Sequence, residues 1–135
     1  MKSRDTLMRL KRFQAEEKRR RVMQIEAMIA EFARMAGDLD REIAAEETRA
    51  RNTDPTHFAY PTYARAARAR RDNLLQSMGE LRGQLDEAKA RHGEALEELA
   101  KAESLEVRDK SGDRIVEVPR ERVEIGFAAM AAGRA

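Results

Sequence analysis

The chain has 135 residues, of which 39% are charged and only 4% aromatic, and alanine supplies 23 of its 56 hydrophobic residues, so bulky apolar groups are too few for a broad globular core. Ala, Glu, Lys, Leu and Arg together account for 77 residues, the composition of long helices and coiled coils. Cysteine is absent, which excludes a disulfide framework and thiolate chemistry, and a formal net charge of +2 is too small for the whole molecule to act as a polycation.

Residues 1–21 are interrupted by charge every two or three positions, unlike a secretory leader, and no run approaches the roughly 18 apolar residues of a membrane span. The expectation is a soluble, unprocessed, cytoplasmic chain. From Met8 an apolar seam runs through Lys11, Ala15, Lys18, Val22, Ile25, Ile29, Phe32, Ala36, Leu39 and Ile43 in alternating steps of three and four. This is heptad spacing, with Met28 and Met35 widening the stripe. Lys11 and Lys18 weaken its beginning, so the best packing is expected between Val22 and Ile43. A first helix is predicted over about residues 3–50.

Residues 51–61 contain Asn52, Asp54, Pro55 and Pro61, turn formers that interrupt a helix. Beyond them a second seam follows Ala64, Ala67, Arg71, Leu74, Met78, Leu81, Leu85, Ala88, His92, Ala95, Leu99 and Ala102, which predicts a second helix over about residues 62–107. Both segments are free of proline.

Charge gives an independent reading of how the helices pair. Residues 1–21 carry nine basic and three acidic side chains, and residues 26–50 carry three basic and seven acidic ones. The order reverses in the second helix: Arg65, Arg68, Arg70 and Arg71 open it without an acid, and residues 79–106 have four basic against eight acidic groups. Antiparallel folding about residue 56 opposes unlike charges at both ends, whereas a parallel in-register dimer of either helix would stack like charges. The predicted fold is therefore all-α, a long antiparallel two-helix coiled-coil hairpin over residues 1–107. Residues 108–135 are expected to form a separate short tail. Its Asp109, Lys110, Ser111, Gly112 and Asp113 read as a turn, followed by Ile115, Val116, Val118 and Pro119 and a short helix carrying Val123, Phe127 and Met130.

No phosphate-cradling glycine loop, HExxH or clustered ligand set occurs, so no catalytic group, cofactor site or metal site is predicted. His92 lies on the seam, either as a polar residue that sets register or as a protonation switch, and His57 lies in the turn. Lys18, Arg19, Arg20 and Arg21 form a conceivable phosphate-binding cluster, but they point around the helix and Glu16 and Glu17 precede them. A self-neutralised, solvated face is the favoured expectation, without nucleic-acid binding. Phe58, Tyr60 and Tyr63, half of the six aromatics, fall within six residues at the turn. They either plug the hairpin tip or form an exposed apolar knob that a partner covers. Gly37, Gly79, Gly83 and Gly93 interrupt helical runs, either to make the helices compliant or as tolerated surface positions.

The opening MKSRDTLMRLKRFQAEEKRRRVMQIEAMIAEF and the segment FAYPTYARAARARRDNL from Phe58 to Leu74 resemble the FliJ family of flagellar export proteins in its alphaproteobacterial form, over about residues 1–107. The resemblance implies an antiparallel two-helix coiled coil similar to the central stalk of rotary ATPases. It further implies a non-enzymatic protein that inserts into the ring of the type III export ATPase and promotes its assembly and activity. Handling of empty export chaperones and contact with the membrane export gate belong to the same implication, with attachment to the inner membrane through protein partners alone. By this resemblance Arg9, Lys11, Arg12 and Lys18 are candidate ATPase contacts, and Phe58, Tyr60, Tyr63, Ala67 and Leu74 candidate gate contacts. A structural scaffold that self-associates through the lysine-containing seam is the alternative reading.

Overall fold

A computed structural model describes residues 2–115, with side chains described for residues 3–109. It is an all-α helical hairpin: α1 (Lys2–Ala50), a loop over residues 51–61, and α2 (Thr62–Ile115). Alanine, glutamate, lysine and arginine give both helices high intrinsic propensity, and the apolar stripe recurring every three or four residues gives each a face to bury.

The chain divides into two compact units, Glu16–Gly93 and Met1–Ala15 with Glu94–Ala135. In the first, which contains the loop, α1 and α2 run antiparallel around two apolar clusters. Val22, Ile25, Leu81 and Ala88 form one, with Ile29, Phe32 and Leu85 packed against them. Leu39, Ile43 and Ala67 form the other, against Leu74. Both lie in the Val22 to Ile43 span expected to pack best. Arg71 crosses to Asp40 at 3.0 Å, and the Tyr63 hydroxyl donates to Glu42 at 3.0 Å. In the second unit, Met8, Ala15 and Ala102 are buried. Lys11 reaches Glu98 at 3.7 Å and Arg4 pairs with Asp109, so unlike charges oppose each other there as the antiparallel reading requires. Most other ion pairs join residues three or four apart on one helix, such as Arg34 with Glu31 and Asp38. These exposed pairs are screened by water and salt and contribute little to stability.

Lys18 is exposed while its neighbours Ala15 and Val22 are buried, which is how a lysine weakens the start of the seam. One expectation is corrected: α2 does not stop near residue 107 but continues through the supposed turn at Asp109, Lys110, Ser111, Gly112 and Asp113 to Ile115. Serine, glycine and aspartate cost a helix only about 0.5–1 kcal/mol each, and no proline intervenes before Pro119. The expected apolar patch at Val116 and Val118 and the short helix with Val123, Phe127 and Met130 lie outside the described residues.

Candidate interaction sites

The loop is built by local hydrogen bonds rather than by core. At the end of α1, the Asn52 amide donates to the Glu47 carbonyl at 3.1 Å and the Arg51 amide to the Thr48 carbonyl at 3.2 Å, while Arg51 takes a positive φ of 53°. This is a Schellman cap with arginine in the left-handed position that glycine ordinarily fills. Asn52 then accepts the Asp54 amide through Oδ1, and Asp54 accepts both the amide and the hydroxyl of Thr56. The Thr56 hydroxyl and amide hold the Asp54 carboxyl below the usual carboxylate range. His57 Nδ1 accepts the Ala59 amide at 3.0 Å, which assigns the ring proton of neutral His57 to Nε2. From the first turn of α2, Arg65 donates to the carbonyls of Pro55 at 2.8 Å and His57 at 3.3 Å, and its guanidinium lies 5.4 Å from the centre of the Tyr60 ring.

This bracing divides the aromatic trio. Tyr60 is 3% exposed and its hydroxyl donates to Glu47 at 2.7 Å, so it is the plug. Burial, then the Glu47 hydrogen bond, pushes its phenol pKa up. Phe58, two residues earlier, is 93% exposed and touches the His57 ring in a stacked arrangement with centres 4.6 Å apart. It is the knob. Tyr63 is 53% exposed, with its hydroxyl on Glu42 raising the phenol pKa. Of the remaining gate candidates, Ala67 is buried in the core and Leu74 is half-buried beside it. The outward-facing members are thus Phe58 and Tyr63.

The ATPase candidates fall in both units. In the unit that holds the chain start, Arg9 and Arg12 are exposed and line a 250 Å³ groove with Asp5, Met8 and Glu106. Lys11 is half-buried and turned toward Glu98. Lys18 belongs to the other unit, on the rim of a 760 Å³ groove with Arg20, Arg21 and Arg91, above Ile25 and Ala88. The Lys18 to Arg21 cluster is only partly neutralised: Glu16 pairs with Arg19 and, at 3.8 Å, with Arg20. His92 is half-buried at its seam position.

Sequence reasoning missed Arg65, Arg91 and the exposed Leu7, Leu10 and Phe13 on α1. Leu10 and Phe13 fall outside the three-four seam, a signal that could have marked them. Among the described residues no group of His, Asp and Glu could hold a metal ion, and no helix is long and apolar enough to cross a membrane. In comparisons with protein-family models, curated proteins and solved structures, nothing matches this chain.

Proposed function

We propose that the chain is a non-enzymatic accessory protein of flagellar type III export, a stalk-like coiled coil that binds and stimulates the export ATPase ring, handles export chaperones and contacts the export gate. The segments that resemble the FliJ family cover the start of α1 and the loop with the start of α2, and the helical hairpin fits a stalk. In this reading Arg9 and Arg12, both exposed, meet an acidic surface of the ring, where charge guides association. The protein is held at the cytoplasmic face of the inner membrane only through these partners.

The observation that carries the reading is the tip. Phe58 stands almost fully in water on a loop that Arg65, Asn52 and Asp54 hold in one conformation, so the side chain contributes little to the fold and its rigid presentation suits capture by a partner's apolar pocket. Binding of the purified cytoplasmic domain of the cognate export gate tests it. Phe58→Ala is expected to weaken that binding about tenfold or more at unchanged helicity. Equal affinity of variant and parent would remove the tip from the gate surface.

A self-associating scaffold is the second reading, favoured by the exposed Leu7, Leu10, Phe13 and Leu105 in the unit that holds the chain start. Sedimentation over a wide concentration range distinguishes it: a mass that rises with concentration supports the scaffold, and a constant monomer mass contradicts it.

A further inference from the structure

The unit formed by Glu16–Gly93 has two unlike flanks beside its seam. On one flank Arg71 crosses to Asp40 and Tyr60 to Glu47, closing it with charge and hydrogen bonds. On the other, α1 presents Arg21, Met28 and Met35, each seven residues from the next, and α2 presents Arg70, Ser77, Gln84 and Arg91 at the same interval. Sevenfold spacing keeps these residues on one face of a coiled coil. The same face continues to Glu42 and Tyr63, whose hydrogen bond at 3.0 Å closes it near the loop; between Arg21 and Met35, no ion pair among the described residues joins the two helices.

The open flank holds two grooves. The 760 Å³ groove has Ile25 and Ala88 at its floor, where a small seam residue leaves room, and the cations Lys18, Arg20, Arg21 and Arg91 against the acids Glu17 and Glu87. A 260 Å³ groove further along is lined by Phe32, Met35 and Leu74, with Arg70, Asn73 and Ser77. Met28, 43% exposed, lies between them in the Arg21, Met28, Met35 series. From Arg21 to Met35 is 14 residues, about 21 Å of helix, which matches four turns of an added helix.

We propose that this flank is a docking groove for an amphipathic helix of another protein, its acidic end between Arg21 and Arg91 and its apolar stripe along Met28, Phe32 and Met35. The charge pattern selects this occupant. Arg21 and Arg91 have no ion-pair partner among the described residues, so they are available to carboxylates. Glu17 and Glu87 interrupt the row of cations that a continuous phosphate backbone would need, whereas a helix can set single carboxylates opposite Arg21 and Arg91 and apolar residues elsewhere; no aromatic side chain lines the basic groove for bases to stack on. An amphipathic helix can instead alternate carboxylates with apolar residues at the three-four spacing that the groove repeats. The surface shares Leu74 with the gate candidates and Lys18 with the ATPase candidates but not Phe58, and the inference does not depend on a role in export.

The test uses the full chain and a synthetic amphipathic peptide of about 20 residues, long enough for about five helical turns, with leucine at heptad a and d positions and glutamate beside them in one half. Its binding is followed by fluorescence anisotropy. Arg21→Glu with Arg91→Glu is expected to weaken binding roughly tenfold or more, and Met28→Ser to weaken it without changing charge. Arg34→Glu with Arg41→Glu, the same charge change on exposed residues outside both grooves, should leave it within about twofold. Far-UV circular dichroism verifies folding, and Arg21→Gln with Arg91→Gln replaces the reversal if helicity falls. Loss of binding in the groove variants alone supports the proposal. No measurable peptide binding, equal loss in both double variants, tighter binding of a single-stranded oligonucleotide at the same salt, or occupation of the flank by a second copy overturns it.

Discussion

Replacing Tyr60 and Phe58 separately by alanine separates the plug from the knob. Tyr60 is 3% exposed between the ends of the two helices, and alanine there removes a buried ring together with the hydrogen bond to Glu47. Loss of a buried aromatic costs about 3–5 kcal/mol and loss of the bond about 1 kcal/mol, but a two-helix tip can partly collapse, so we expect about 3 kcal/mol in total. At roughly 4 °C per kcal/mol this lowers the melting temperature by about 12 °C. Phe58 is 93% exposed, and its replacement should change stability by less than about 0.5 kcal/mol. Thermal and urea unfolding, followed by far-UV circular dichroism, read both values. Similar destabilisation by the two substitutions would refute the assignment of plug and knob, and a melt unchanged by Tyr60→Ala would refute the loop packing itself.

Titration provides a separate test of Tyr60. Its folded pKa is raised by burial and by Glu47, so its stabilisation is complete below the unfolded value near 10 and is lost as pH rises through the folded value. Stability measured from pH about 9 to 11 should fall, and Tyr60→Phe should flatten that fall. Ile25→Asp, at the most buried large side chain, places a charge in the Val22, Leu81 and Ala88 cluster and should cost about 4 kcal/mol or more; an unchanged urea midpoint would contradict the seam register. Arg51→Gly should stabilise by about 0.5–1 kcal/mol, since it relieves the left-handed residue at the Schellman cap. Gly79→Ala and Gly83→Ala, where an added methyl meets nothing within 4 Å, should each stabilise by about 1 kcal/mol, and destabilisation in a urea titration would show that these sites are not plain surface.

The helical seams were legible because a heptad places one residue type on one face whatever surrounds it. Val22, Ile25, Ala36, Leu39 and Ile43 on α1, and Ala64, Ala67, Met78, Leu81 and Ala88 on α2, are buried where the spacing put them. The antiparallel sense was legible from the charge reversal along each helix, which Lys11 with Glu98 and Arg71 with Asp40 express in their respective units. The tip was legible only as a cluster of aromatics. Which ring turns inward depends on Arg65 reaching two loop carbonyls and on the successive bonds of Asn52 and Asp54, a backbone geometry that composition does not encode. The end of α2 was misjudged because Ser111 and Gly112 are ordinary turn residues, whereas a helix already propagating crosses them at small cost. The open flank escaped notice because grooves depend on what both helices present together, such as Ala88 facing the Ile25 cluster beneath Arg21 and Arg91.

The ATPase rate of the cognate flagellar export ATPase, titrated with this protein at near-physiological salt, tests the export proposal most directly. Saturable stimulation is expected, weakened by Arg9→Glu with Arg12→Glu while helicity is retained. A flat titration, with no co-elution of the protein and the ATPase ring, would contradict it.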